Sequence, residues 1–134
     1  MRRRNSGGQH GFTLIELMVV LAIIAILATI AAVRYQSAVT RAREAVLHQD
    51  LTTMRKAIQQ YTEDKEAAPS SLDDLVSADY LREVPIDPMT GQKDWTTTAA
   101  TELWSPEQNA GGIGDVHSSS DKVSPFENDP YSSW

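Results

Sequence analysis

One carboxylate lies in a stretch of chain that is otherwise almost entirely apolar. Residues 12–33 are twenty-two residues of which only Thr13, Glu16 and Thr29 are not apolar. In a lipid-embedded helix an acid costs about 2.5–3.5 kcal/mol at the centre, so Glu16 needs a physical reason. One interpretation places it at the membrane interface, where its charge favours the positive helix N-terminus. The alternative depends on the residues that precede it, which are Arg2, Arg3 and Arg4, a polar stretch, and Gly11 directly before Phe12.

Residues 115–134, which we call the tail, hold a second set of carboxylates. These are Asp115, Asp121, Glu127 and Asp129. The chain has no cysteine, so no disulfide can hold this irregular stretch. Calcium suits such a loop because it takes six to eight oxygen ligands in flexible geometry. The alternative is a solvated acidic tail whose aromatic side chains pack onto a sheet.

Residue types used by enzymes are present but scattered. The three histidines, His10, His48 and His117, lack the spacing of zinc ligands, and no glycine loop of the phosphate-binding type occurs. His117 lies close to Asp115 and Ser118, as in a nucleophile relay. Neighbours on a strand alternate faces, however, which favours an ordinary strand surface. We therefore expect no catalysed reaction.

The element that carries Glu16 is predicted to be a membrane-spanning helix. At about 1.5 Å per residue, residues 12–33 would reach roughly 33 Å, close to a hydrocarbon core of about 30 Å. The run is longer than the roughly 7–15 apolar residues of a secretory signal, and no small-residue cleavage pattern follows it. Positively charged flanks of a membrane helix stay in the cytoplasm. Arg2, Arg3 and Arg4 therefore place residues from about 35 onward on the outer side, which is the periplasm of a Gram-negative cell.

The ten residues from Gly11 to Val20 resemble the class III signal of type IV pilins and type II secretion pseudopilins. They read Gly-Phe-Thr-Leu-Ile-Glu-Leu-Met-Val-Val. The resemblance implies that a prepilin peptidase cuts between Gly11 and Phe12 and methylates the new amine of Phe12. It also implies that Glu16 pairs with the Phe12 amine of a neighbouring subunit. Such a pair attracts strongly in an apolar filament core, where each charge alone is costly.

Two later segments resemble the major pseudopilin of type II secretion. Residues 80–91 contain Tyr-Leu, then Pro-Ile-Asp-Pro, then Gly, in the pattern that follows the short helix of that family. The tail is similar to the family's C-terminal calcium loop, and the resemblance implies that Asp121 and Asp129 bind the ion. The match departs at Lys122, where the loop usually has glycine. Both segments favour the pseudopilin branch over motility pilins.

Together these segments predict an α+β, type IV pilin-like fold, with a long N-terminal helix packed against a small antiparallel sheet. The first half of the helix spans the membrane, and no Pro or Gly interrupts residues 12–66. The expected organisation is a cleaved leader at 1–11, a transmembrane and filament-core helix at 12–33, its periplasmic continuation at 34–62, and a globular domain at 63–134. The continuation's predicted packing stripe is Val39, Ala42, Val46, Met54, Ile58 and Tyr61, with Leu47 and Leu51 beside it.

Within the globular domain the sequence predicts one short helix and two or three strands. Ser70 or Ser71 is the expected N-cap of a helix that reaches about Ala78. Strands are expected at 93–98 and 113–118 and, less clearly, at 101–104. The side chains expected to fill the core after the helix are Tyr80, Leu81, Val84 and Ile86. The three tryptophans are interpreted as core or subunit-contact residues.

Composition excludes one class of partner and leaves three hypotheses. The formal charge of −6, with no extended basic patch, argues against nucleic acid. The leading hypothesis is a major pseudopilin that polymerises with itself, with minor pseudopilins and an inner-membrane secretion platform as further partners. A type IV pilin for adhesion, twitching or DNA uptake is the first alternative. A membrane-tethered periplasmic binding module is the second.

Overall fold

A single long helix, α1 (Leu14–Lys65), dominates the computed structural model, which describes residues 11–100 and 111–134. α1 ends three residues beyond the expected 62, where Glu66 adopts a left-handed φ of 53°. The chain separates into two compact units, Met1–Val39 and Thr40–Trp134, and α1 contributes to both. The remaining elements are helix α2 (Leu72–Ser77), strands β1 (Thr96–Ala99) and β2 (Ile113–His117), and a 3-10 turn at Tyr131–Ser133. This confirms the predicted α+β fold class.

The core of the second unit forms where α1 meets α2, β2 and the tail. Its buried members are Leu47, Leu51, Met54, Ala57, Ile58, Leu75, Leu81, Ile113, Val116 and Tyr131. The α1 residues among them recur every three or four positions, so they lie on one face of the helix. Trp95 and Trp134 pack against this cluster, as predicted for the tryptophans. Trp104 and the weaker strand prediction at 101–104 lie outside the described residues.

Two details of the predicted core are wrong. Ala42 and Val46 do not belong to the buried stripe, and Val46 is 49% exposed. The buried face instead includes Glu44, a polar residue that a search for apolar periodicity passes over. Ile86 is 56% exposed, whereas its neighbour Asp87 is fully buried. Successive side chains of an extended segment point to opposite sides, so burying Asp87 turns Ile86 outward.

The short helix α2 begins as its sequence predicts. Ser71 is the N-cap, and its Oγ accepts a hydrogen bond from the backbone N–H of Asp74 at 3.3 Å. The Asp74 carboxylate accepts in return from the N–H of Ser71 at 3.0 Å. This reciprocal capping box satisfies donors that a helix of six residues would otherwise leave free.

Strands β1 and β2 pair antiparallel, with Thr97 opposite Val116 and a register shift after Thr98. The start of β2 is fixed to the loop after α1, because the N–H of Ile113 donates to the carbonyl of Pro69 at 2.7 Å. At this junction a Cβ on Gly112 would lie 2.4 Å from the Cβ of Ala68. Only glycine lets the two segments approach so closely.

Candidate functional site

The predicted assembly residues lie at the start of α1. Thr13 caps the helix, since its Oγ1 accepts from the N–H of Glu16 at 3.3 Å and its carbonyl accepts from the N–H of Leu17 at 3.2 Å. Glu16 therefore sits in the first turn, where the helix dipole favours a negative charge. The spacing Thr-x-x-Glu is the signature of a capping box, so the sequence itself contains a signal for the start of this helix.

Gly11 and Phe12 are both open to the surroundings. Phe12 is 88% exposed. A Cβ added to Gly11 would meet no atom within 4 Å, and its φ lies outside the left-handed range. Neither packing nor backbone conformation within the described residues thus requires a glycine at position 11. The glycine at position 11 therefore calls for a reason other than the stability of the folded chain.

The first unit exposes every large apolar side chain it carries between Phe12 and Val33. These are Phe12, Leu14, Ile15, Leu17, Met18, Val19, Val20, Leu21, Ile23, Ile24, Ile26, Leu27, Ile30 and Val33. By length and composition α1 is able to cross a membrane. A patch of this size needs lipid or other protein chains to cover it.

The tail makes hydrogen bonds to a buried acid on α1 that the sequence analysis did not single out. Glu44 Oε1 accepts hydrogen bonds from Ser124 Oγ and from Tyr131 OH, each at 2.8 Å. Burial, together with the hydrogen bond to Glu44, raises the pKa of Tyr131 to about 12. A glutamate three residues before Leu47 and seven before Leu51, on the buried face of α1, would have been the only sequence signal.

The two predicted calcium ligands, Asp121 and Asp129, are both exposed. Val123 pairs with Pro130 in an isolated antiparallel bridge, so the chain turns between them and Asp129 lies within the turn. Asp121 lies outside it, two residues before the bridge. No three His, Asp or Glu side chains form a metal-binding group in residues 11–100 and 111–134. Calcium binding would need backbone or hydroxyl oxygens as well, and it stays a prediction.

Asp115 and His117 of β2 lie on one side of the strand, and Ser118, directly after it, is directed to the other. Arg55 Nε donates to Asp115 Oδ1 at 2.6 Å, and His117 Nε2 lies 3.5 Å from Asp115 Oδ2. Burial alone would raise the pKa of Asp115, but hydrogen bonds from Arg55 and from the Val116 N–H hold it below its usual range. Ser118 is directed elsewhere, toward Asp87. This arrangement is an ion-paired strand surface rather than a nucleophile relay.

Asp87 is a further residue that sequence reasoning missed, since only the apolar side chains of residues 80–86 are expected in the core. Its Oδ1 accepts from the N–H of Met89 at 2.7 Å, and its Oδ2 accepts from Ser118 Oγ at 2.5 Å. Burial and the nearby Asp87 raise the pKa of Asp50 on α1. Asp87 thus joins the turn to the end of β2 from inside the core.

Comparison with known proteins covers the first part of α1 and, for one relative, about two thirds of the chain. The model of the prokaryotic N-terminal methylation motif matches residues 6–32. The type II secretion system core protein G of Pseudomonas aeruginosa is 34% identical over 104 residues, which cover 66% of this chain and 71% of that protein. The chain belongs to the type IV pilin-like family.

Fimbrial relatives of this pilin-like chain match a shorter stretch. A probable minor fimbrial protein of Dichelobacter nodosus is 46% identical over 55 residues, 41% of this chain and 35% of that protein. The type IV major fimbrial protein FimA of the same organism is 49% identical over 51 residues, 38% and 33% of the two chains. The chain thus spans about a third of the length of these relatives. No solved structure matches it.

The family match covers part of the predicted site. Gly11, Phe12 and Glu16 lie within the matched residues 6–32, whereas Asp121 and Asp129 lie outside them. Pilins and pseudopilins are structural subunits.

Proposed function

We propose that this chain is a structural subunit that polymerises into the periplasmic pseudopilus of a type II secretion system. The observation that carries the proposal is the match to core protein G, which extends over 71% of that protein, against 35% or less for the fimbrial relatives cited above. A resemblance confined to the methylation motif would not separate the two branches. The pseudopilin match reaches well beyond that motif.

Processing between Gly11 and Phe12 explains why glycine stands at a position where the fold does not require it. A residue without a side chain lets a peptidase bring the scissile bond closer to its active site. The open surroundings of Gly11 leave that bond accessible. Cleavage would free a charged amine on Phe12, whose side chain is already exposed. The prepilin peptidase would then methylate that amine.

Glu16 would receive its partner from another subunit. Its carboxylate makes no hydrogen bond or ion pair to the residues that the structure describes, although its N–H is satisfied by Thr13. Within a filament core, the Phe12 amine of a neighbour would neutralise it and fix the register of the two helices. The exposed apolar side chains of residues 12–33 would pack against other copies of the helix, which exchanges lipid contacts for protein contacts.

The proposed location follows from the same segment. Residues 12–33 would anchor the chain in the inner membrane with the leader in the cytoplasm and residues from about 35 onward in the periplasm. The peptidase, the minor pseudopilins and the inner-membrane secretion platform would be its partners there. Before processing, the chain would remain a membrane-anchored monomer.

The mass of the mature N-terminus tests the processing step most directly. Native protein should begin with a methylated Phe12. Gly11→Leu should abolish cleavage and leave the eleven leader residues attached, whereas Gly8→Leu, in the same leader, should be processed normally. Intact-mass spectrometry of membrane-extracted protein measures all three. Full processing of Gly11→Leu would contradict the peptidase assignment, and an uncleaved anchored monomer in the wild type would support a membrane-tethered binding module.

A type IV pilin is the second candidate, and the identities of 46% and 49% to fimbrial proteins favour it. The two candidates differ in the phenotype of a deletion strain. Loss of protein export with normal surface fibres supports the pseudopilin. Loss of surface fibres and of twitching, with export unchanged, would replace it by the pilin.

Calcium is proposed as an additional ligand of the segment from Asp121 to Asp129, which contains the turn. Both carboxylates are exposed and free to approach an ion, and the hydroxyl and carbonyl groups of the turn supply further oxygen atoms. Titration of the intact chain with calcium, followed by calorimetry, should show binding that Asp129→Asn weakens. Identical titrations for the wild type and the variant would exclude this site.

A further inference from the structure

The docked segment, residues 123–134, has few regular elements to hold it in place. It contains one isolated bridge and a single 3-10 turn, yet Ser124 and Tyr131 are among the most buried residues of the chain. With no cysteine in the sequence, a disulfide cannot be responsible. Some other contact must offset the entropy of ordering these residues.

We propose that Glu44 is the anchor that docks this segment onto α1, through hydrogen bonds from Ser124 and Tyr131 and without a bound ion. Glu44 is 7% exposed, and its oxygen Oε1 accepts the hydrogen bonds of both hydroxyl groups. A carboxylate oxygen has two lone pairs and accepts both bonds at once. Charge-assisted bonds of this kind are stronger than those between neutral groups.

The bond to Ser124 also organises the turn that follows. Ser124 Oγ accepts from the N–H of Phe126 at 3.2 Å and from that of Glu127 at 3.1 Å while it donates to Glu44. The Ser124 backbone is bonded across the turn, donating to the carbonyl of Asp129 at 2.9 Å. One anchored hydroxyl therefore connects α1 to the whole turn.

The bond to Tyr131 positions the aromatic end of the segment. The Tyr131 ring meets Trp134 edge to face with centroids 5.0 Å apart, and Trp134 stacks on His48 of α1 at 4.2 Å. Arg55 Nη2 donates to the Trp134 carbonyl at 2.5 Å. Glu44, His48 and Arg55 share one face of α1, at spacings of four and seven residues.

Burial distinguishes Glu44 from the other contacts. The side chains of His48 and Glu127, 3.9 Å apart, are each 54% exposed, so water can replace what they lose. Without Glu44, by contrast, two buried hydroxyl donors would lose their acceptor at the same time. Removing the Glu44 side chain should therefore release the segment. Losing an exposed contact such as that between His48 and Glu127 should not.

Hydrogen exchange of the full chain in detergent micelles, read by mass spectrometry in EGTA, tests the anchor. In Glu44→Ala the amides of residues 123–134 should exchange about tenfold faster or more, while those of α2 keep their protection. Glu44→Gln should lie between the wild type and Glu44→Ala, since its amide oxygen accepts the same two bonds without the charge. Glu63→Ala is the matched control, because Glu63 accepts only from Gln59 on α1 itself.

Four results would overturn the proposal. Wild-type protection of the segment that appears only when calcium is added would assign docking to the ion. Unchanged exchange in Glu44→Ala, or equal loss in Glu44→Ala and Glu44→Gln, would exclude the two hydrogen bonds as its cause. If Glu44→Ala also loses protection in α2, Ser124→Ala and Tyr131→Phe decide instead. Each variant removes one hydroxyl donor to Glu44 and should speed amide exchange in residues 123–134. Exchange at the wild-type rate in both variants would refute the proposed role of Glu44.

Discussion

Helix α1 is one element by its backbone hydrogen bonds but two by what its side chains contact. Between residues 14 and 33 its large apolar side chains are all exposed, whereas between 44 and 58 one face is buried in a core. The first stretch is apolar on every side and the second on a single stripe. A helix of the first kind is stable only in lipid or among other helices, and one of the second kind folds a domain around itself.

The contrast shows how two glutamates of the same helix can have different roles. Glu16 in the first stretch has its N–H capped, and its carboxylate contacts no partner among the described residues. Glu44 in the second stretch finds both of its donors within the chain. The same residue type is thus proposed to join subunits at one position and to complete a subunit at the other.

The largest expected effect comes from removing the first of these acids. Glu16→Val should insert into the membrane normally but fail to enter filaments, because the amine of Phe12 would be buried without a partner. Chemical crosslinking of membranes, followed by immunoblotting for oligomers, measures assembly. Thr29→Val is the matched control, since Thr29 Oγ1 donates only to the Ala25 carbonyl of its own helix. Normal filaments from Glu16→Val would contradict its proposed role.

A smaller effect on stability should separate the two halves of α1. Leu47→Ala removes a fully buried side chain and should lower the free energy of unfolding of the second unit by about 2–5 kcal/mol. Leu21→Ala, at a position 57% exposed, should leave that unit unchanged. Urea unfolding of the full chain in detergent, followed by near-ultraviolet circular dichroism, compares them. Equal losses would show that the two halves unfold as one.

The smallest effect concerns pH and the ion pair between Arg55 and Asp115. Since the pKa of Asp115 is lowered in the folded state, its contribution is fully present above the unfolded value of about 3.9 and is lost as pH falls through the folded pKa. Both side chains are more than a third exposed, so solvent screening limits the contribution to less than about 1 kcal/mol.

Asp115→Asn should therefore lower stability at pH 7 and converge with the wild type in acid, measured by urea unfolding at several pH values. Glu83→Gln, which removes a surface pair with Lys93 at 3.8 Å, should change little at any pH. A constant difference between Asp115→Asn and the wild type across the acid range would exclude titration of this group as the cause.

The parts of the fold set by local rules were predictable from the sequence. The length of α1 follows from the absence of Pro and Gly, and the start of α2 from Ser71 and Asp74. The assembly residues could be predicted because their motif is contiguous. Their processing and pairing stay predictions, and so does calcium binding by Asp121 and Asp129.

What could not be predicted depends on contacts between distant residues. Glu44 joins residues eighty and eighty-seven positions away, and Asp87 joins Ser118 across thirty-one. Hydrophobic periodicity assigns both acids to the surface, because it treats every charged residue as exposed. It contains no information on hydrogen-bond partners that are distant in the sequence. The misplaced Val46 and Ile86 are consequences of the same omission, because each lies near an acid that the fold buries.

The junction of Ala68 and Gly112 limits how this protein can vary. The two backbones meet with less room than one methyl group requires. In a random mutagenesis library selected for folding, position 112 should therefore accept almost no replacement, and position 68 only residues as small as alanine. The loop after the long helix and the start of the second strand are consequently constrained together, although forty-three residues lie between Ala68 and Gly112.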